Sequence, residues 1–222
     1  MSADNREKVA GDSRPGKYLA GAAVLFALAA LAYLAGSNDR FPGDLSVSTW
    51  VQSFQTGWLD FAIKTISLAG VPYIAGPLAL LATLAFFLAG RREAGVLIVT
   101  TVIVGYGVRT VMKLIVVRPR PPDSLVQIIE EADGFSFPSG HVMFYVVLLG
   151  ALNVALSGAA MSNRTRRSIR VASAVAVLLI GLSRIYLGAH WLSDVLAGYL
   201  FGAAVVAAAS LAWRRWGDPS GP

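Results

Sequence analysis

Apolar residues in this chain come in long unbroken runs, not in the alternating or one-faced patterns of water-soluble strands and helices. A membrane-crossing helix needs about 20 mostly apolar residues. Roughly six runs approach that length: 18–36, 72–89, 94–117, 138–160, 171–187 and 190–213. The pattern predicts an all-α fold, an integral-membrane bundle of six transmembrane helices with short interfacial helices between them. Residues 18–213 then form one unit, flanked by tails at 1–17 and 214–222, and no sequence is left for a second domain. The first run exceeds the usual length of about 7–15 residues for a signal core, so it is expected to stay as a span.

Two connections carry a pattern of their own. Within 46–58, Val47, Trp50, Val51, Phe54 and Trp58 recur at helical spacing, which predicts an amphipathic helix in the membrane interface, either guiding a lipid or anchoring the loop. Segment 123–133 sets Leu125, Ile128 and Ile129 beside Glu130, Glu131 and Asp133 and reads either as a short lid or as a solvated connector. Gly198 and Gly202 form a GxxxG in the last run, expected to pack within the bundle.

Composition supports the membrane assignment: 55% of residues are hydrophobic and only 14% charged, well away from soluble averages. The absence of cysteine excludes disulfides and thiolate metal sites. The net charge of +6 is mostly a topology signal. Arg6, Lys8, Arg14 and Lys17 precede the first run, Arg91 and Arg92 separate the second and third, Arg164, Arg166, Arg167 and Arg170 the fourth and fifth, and Arg214 and Arg215 follow the last. All fall on one side, so both termini are expected in the cytoplasm. Charges scattered over separate loops do not make a nucleic-acid surface.

The remaining cations break that rule. Lys113, Arg118 and Arg120 lie at the far end of the third run and Arg184 at the far end of the fifth. Counting hairpins places these at the same membrane face as Ser139 and His141, which open the fourth run, and His190 and Asp194, which open the sixth. That face is expected to be extracytoplasmic. Each residue has a plainer reading alone: Lys113 could snorkel to headgroups, Ser139 could cap a helix, and His190 with Asp194 could be a satisfied polar pair. The plainer readings do not require convergence. Gathered together, the cations need an anion, and arginine forks, a lysine and the N–H groups at Gly140 suit a phosphate. His190 and Asp194 stand four residues apart, so the carboxylate can hold one ring N–H and free the other nitrogen to attack phosphorus.

Lys113 followed after six residues by Arg120-Pro121, then Pro138-Ser139-Gly140-His141, then Ser183-Arg184 with His190 and Asp194, together resemble the three-part signature of the type 2 phosphatidic acid phosphatase superfamily. Vanadium-dependent haloperoxidases share that signature, but the many spans here are similar to the integral-membrane lipid phosphatase branch. The resemblance implies His190 as a nucleophile forming a phosphohistidine, Asp194 orienting its ring, and His141 as proton donor to the leaving oxygen. It implies Lys113, Arg120, Ser139, Gly140 and Arg184 as phosphate ligands, with Arg118 an auxiliary outside the strict spacing. It also implies catalysis without a metal or other cofactor, and neither HExxH nor a cysteine cluster is present. The expected partners are the bilayer and a lipid phosphate substrate, best a prenyl diphosphate such as undecaprenyl diphosphate, with phosphatidic acid or phosphatidylglycerol phosphate as the alternative. A catalytically idle lipid-binding or transport protein is the alternative of another class. Arg109, one turn from Lys113, would repel it without an anion nearby and is an auxiliary candidate for a second phosphate. Phe135 and Phe137 could meet a lipid chain or simply sit at the interface. Oligomeric state is left open by the sequence.

Overall fold

The computed structural model describes residues 15–216. Among them are eight helices and no strand: α1 (Pro15–Ser37), α2 (Asp44–Gln52), α3 (Gly57–Leu68), α4 (Pro72–Leu88), α5 (Arg92–Val116), α6 (Gly140–Ala155), α7 (Asn163–Tyr186) and α8 (Leu192–Trp216). Arg6, Lys8 and Arg14, expected on the cytoplasmic side, lie outside the described residues, as do 217–222.

The protein is an all-helical membrane bundle, but the number of long spans differs from the expected six. Four helices, α1, α5, α7 and α8, are long and apolar enough to cross a bilayer, and α3 with α4 makes a fifth if counted as one span bent by 52°. Pro138 and Ser139 are spent ahead of α6 and the chain turns after Ala155, so the run at 138–160 yields a helix of 16 residues. At 1.5 Å per residue that is about 24 Å, short of a hydrocarbon core of about 30 Å. The fifth run errs the other way. Ser162 Oγ accepts from Thr165 N at 3.0 Å, and this cap starts α7 at Asn163, which takes Arg164, Arg166, Arg167 and Arg170 into the helix.

α6 is the centre of the bundle. Val142, Met143, Val147 and Ala151 are buried on it, and α5, α7 and α8 surround it. Close approach is set by glycine. A Cβ on Gly202 of α8 would come within 2.8 Å of Val146, one on Gly198 within 3.0 Å of Val142, and one on Gly105 of α5 within 2.9 Å of Val147. The GxxxG therefore packs inside the bundle, against α6. Large apolar side chains point the other way: Leu25 and Phe26 on α1, Leu80 and Leu81 on α4, and Leu178 on α7 are exposed, as lipid-facing positions should be.

The expected interfacial helix at 46–58 divides in two. α2 ends at Gln52, and α3 begins at Gly57. Trp50, Phe54 and Trp58 are exposed, whereas the polar residues Asp44, Ser48 and Gln52 are buried. Gln52 ties α2 down: its Nε2 donates to Gln127 O at 2.7 Å and Tyr186 O at 3.1 Å, and its Oε1 accepts from Gln127 N at 3.0 Å. Segment 123–133 is tied down only in part, with Asp123, Ser124, Leu125, Gln127, Glu131 and Asp133 exposed. Val126 is buried, and Ile129 N donates to Leu187 O at 3.1 Å.

Candidate active site

Four pieces of chain reach the same end of the bundle. α5 delivers Arg109 and Lys113 in its last two turns, then stops where Val117 takes a left-handed conformation with φ 51°. A β-branched residue there costs about 1–3 kcal/mol. The turn sends Arg118 inward and Arg120 along the rim. The loop returns through Ser136 to Ser139 and Gly140, which open α6 with His141 beside them. α7 ends with Arg184 inside it, and Gly188, at φ 73°, folds the chain so that Ala189 N and His190 N both donate to Arg184 O, at 3.1 and 3.2 Å. α8 starts two residues after His190 and carries Asp194 in its first turn.

The structure brings Lys113, Arg120, Ser139, Gly140, His141, Arg184, His190 and Asp194 to this end. His190 is 2% exposed and Asp194 fully buried. Their direct separation, His190 Nδ1 to Asp194 Oδ2, is 3.7 Å, too long for the hydrogen bond expected from their spacing. Ser136 fills the gap. Its Oγ lies 3.3 Å from His190 Nδ1 and donates to Asp194 Oδ2 at 2.5 Å. On the other side of the ring, Arg120 Nη1 stands 3.2 Å from His190 Nε2. A guanidinium can only donate, so Nε2 is the acceptor and the ring proton sits on Nδ1, facing Ser136. Burial, then Arg120, Arg184 and Lys113, holds His190 well below the usual imidazole range, so the ring is neutral. Burial and Arg184 lower Arg120 to about 10, which leaves it charged at neutral pH.

Arg118 faces away from this space. Fully buried, it donates to Asp194 Oδ1 at 2.6 Å, Asp44 Oδ2 at 3.0 Å and Ser193 Oγ at 2.7 Å. Asp44 also accepts from Ser193 N at 2.9 Å and Phe41 N at 2.7 Å. The resemblance suggests Arg118 as an auxiliary of the site; the structure puts it behind Asp194, as the counter-ion of that buried carboxylate. Arg184 has two partners of its own that carry no sequence motif. Its Nη1 donates to Ser67 Oγ at the end of α3 and to Glu130 Oε1 at 3.0 Å. Gly70, in the break between α3 and α4, lies so close to the His141 ring that a Cβ there would collide with it.

A cavity of about 690 Å³ opens between these groups, lined at one end by Arg109, Lys113, Arg120, Gly140, His141 and Arg184. From there it follows α4 and α5 to Thr83 and Val99, through Ala79, Leu80, Ile103 and Tyr106. Fourteen residues of α5 separate Lys113 from Val99, about 21 Å along the axis. Four buried polar atoms at the charged end have no hydrogen-bond partner among the described residues: Arg109 Nε, Ser139 Oγ, His141 Nε2 and Arg184 Nε. Buried polar atoms are nearly always satisfied, so these four have room for partners from water or a ligand. A larger cavity of about 970 Å³, between α1, α5 and α8, has almost wholly apolar walls and contains none of the predicted site residues.

Known proteins share this architecture. The sequence pattern of the PAP2 superfamily matches residues 94–218. The chain is 26% identical over 170 residues to phosphatidylglycerophosphatase B of Bacillus subtilis (strain 168), covering 75% of this chain and 81% of that protein. It is 27% identical over 116 residues to an undecaprenyl-diphosphatase of Sulfolobus acidocaldarius, covering about half of each, 50% and 51%. In three dimensions it resembles the first transmembrane PAP2 type phosphatidylglycerolphosphate phosphatase from Bacillus subtilis, with a TM-score of 0.78 at 22% identity over 88% of this chain and 96% of the other. Aquifex aeolicus LpxE gives a TM-score of 0.60 at 21% identity, over 77% and 96%. At these identities the two structures speak for the fold.

Proposed function

This chain belongs to the PAP2 superfamily and is a membrane lipid-phosphate phosphatase, and we propose that it removes the terminal phosphate of a lipid mono- or diphosphate through a phosphohistidine on His190. The observation that carries this reading is the two-sided engagement of the His190 ring: Nδ1 faces Ser136 and, through it, Asp194, while Nε2 faces the cation Arg120.

Nε2 carries the lone pair. As it attacks phosphorus the Nε2–P bond forms, the bond from phosphorus to the lipid oxygen breaks, and positive charge develops on the ring. The Nδ1–H to Ser136 to Asp194 chain stabilises that charge. Arg120 moves from Nε2 to the phosphoryl oxygens, where Lys113, Arg184, Ser139 Oγ and the Gly140 N–H join it. His141, whose Nε2 has no protein partner, gives a proton to the departing lipid oxygen and later takes one from the water that releases phosphate. Fixed cations supply the electrostatic stabilisation, so the reaction needs no metal or other cofactor.

A phosphate at the charged end leaves its lipid chain in the apolar part of the cavity, along α4 and α5. A prenyl diphosphate such as undecaprenyl diphosphate is the substrate we favour. Phosphatidylglycerol phosphate is the second reading, supported by the relative of that activity matched over 81% of its length. We place residues 18–213 in one phosphatase unit that crosses the membrane six times, with α6 and α4, of 16 and 17 residues, as the short crossings. Arg91, Arg92, Arg164, Arg166, Arg167, Arg170, Arg214 and Arg215 lie at the end of the bundle opposite the site, which favours cytoplasmic termini and an extracytoplasmic site.

Phosphate release from a panel of lipid mono- and diphosphates tests the reading. Wild-type protein should turn over in excess EDTA, and His190→Ala should lose about 1,000-fold or more. Wild-type rates in His190→Ala, or loss on chelation restored by a divalent ion, would overturn it.

A further inference from the structure

Arg109 lies outside the motif that supplies the proposed phosphate ligands, and its surroundings leave its charge unmatched. It lies one turn deeper than Lys113 on α5, about 6 Å further from the charged rim. Its guanidinium lies against the first turn of α6: a Cβ on Gly140 would come within 3.1 Å of its Cζ and Nη2. Its Nε is buried without a hydrogen-bond partner, and among the described residues no carboxylate forms an ion pair with it. Its aromatic neighbour is Tyr106 on its own helix, with the ring centroid 5.7 Å from Cζ. A guanidinium that merely snorkelled would point toward the headgroups, whereas this one lines the cavity wall between the charged rim and the apolar stretch at Ile103 and Leu80.

That depth decides what it can touch. The transferred phosphate has to sit at the rim, within reach of His190, Arg120 and Lys113. The leaving group then extends past His141 toward the apolar stretch, so the first part of it inside the cavity passes Arg109. We propose that Arg109 binds a second phosphate group, one that stays on the lipid after the terminal phosphate is transferred, and so favours substrates carrying two phosphates over those with one. The proposal rests on His190 as nucleophile and on the lipid leaving along α4 and α5. The second phosphate has two sources, the inner phosphate of a prenyl diphosphate or the diester phosphate of phosphatidylglycerol phosphate. Charge balance fits either. Arg184 is paired with Glu130, and Glu131 and Asp133, which also line the cavity, form no ion pair with Arg109 or Lys113 among the described residues. Arg109 and Lys113 thus remain as neighbouring cations with no carboxylate between them.

Steady-state hydrolysis by the purified full-length chain provides the test, with two matched pairs: a prenyl diphosphate against its prenyl monophosphate, and phosphatidylglycerol phosphate against phosphatidic acid. In Arg109→Ala, kcat/KM for the two-phosphate member of at least one pair should fall about 10- to 100-fold further than for its single-phosphate partner, the loss of one charge-assisted contact. The pair that shows the effect identifies the source. Arg109→Gln is the second variant should alanine prevent folding, with the same selective loss expected. Equal proportional losses within both pairs, or greater losses on single phosphates, would overturn the role of Arg109 while leaving the phosphatase reading intact. Wild-type protein that releases phosphate from none of the four lipids would overturn both.

Discussion

Ser136 shows how a spacing can predict the right partners and the wrong contact. His190 and Asp194 are four residues apart, but α8 begins only at Leu192, so the histidine precedes the helix and the i,i+4 rule does not apply to it. The ring ends 3.7 Å from the carboxylate, and a serine from a loop 54 residues away bridges them. Nothing in the sequence marks Ser136, Asp44 or Ser67 as part of the site, because each matters only through the group it holds. The proposed phosphate ligands fall in a motif; their supports depend on how loops fold. Removing Ser136 should expose the difference. Ser136→Ala is expected to lower kcat about 10- to 100-fold with little change in KM, since it loses stabilisation of charge that appears only in the transition state. With two histidines in the chain, ring titration by nitrogen NMR is readable directly. His190 is held below its ordinary value, so it should stay neutral, with the proton on Nδ1, as pH falls through 6.5. In the unfolded chain the same histidine binds its proton near pH 6.5, so acidification below that value favours unfolding until the folded ring is protonated too. Titration at or above pH 6.5, or a proton on Nε2, would contradict the assignment.

At the scale of elements, the apolar runs identify helices well but not their ends or their buried faces. A run that is apolar on every side has no stripe to say which face meets protein and which meets lipid. Small residues supply that information: Gly198 and Gly202 mark the face of α8 that α6 occupies. Helix ends depend on local chemistry that hydropathy ignores, such as the Ser162 cap that lengthens α7 and the Pro138-Ser139 entry that shortens α6. α3 was not legible because Asp60 and Lys64 interrupt its hydrophobicity, yet it supplies Ser67. Since the α6–α8 seam carries both His141 and Asp194, forcing it apart should disturb the site from a distance. Gly202→Val is expected to destabilise the protein by about 1–3 kcal/mol and to lower its thermal midpoint, because its Cβ would press on Val146. Gly21→Val, where a Cβ would meet nothing within 4 Å, is the control and should leave the midpoint unchanged. Equal effects of the two changes would remove the argument for a tight seam.

Across the whole molecule, the alternation of crossings brings the ends of α5 and α7 and the starts of α6 and α8 together whatever the absolute orientation. The structure agrees, and a second layer of interactions fixes the arrangement. The fully buried Arg118 links Asp44 of the α2 strap to Asp194 of α8, and removing one partner of such a pair typically costs about 3–5 kcal/mol. Arg184 similarly joins α7 to α3 and the loop through Ser67 and Glu130. Convergence of distant segments is thus held by ion pairs that join motif residues to partners outside the motif, and its proposed purpose is one nucleophilic nitrogen beside a cage of cations. Rapid quenching of the purified protein during turnover of a lipid labelled with radioactive phosphate tests that directly. The account predicts an acid-labile, base-stable phosphoryl group on His190, formed no more slowly than phosphate is released and absent from His190→Ala. Label on any other residue, or unimpaired turnover with no covalent label at any time, would contradict it.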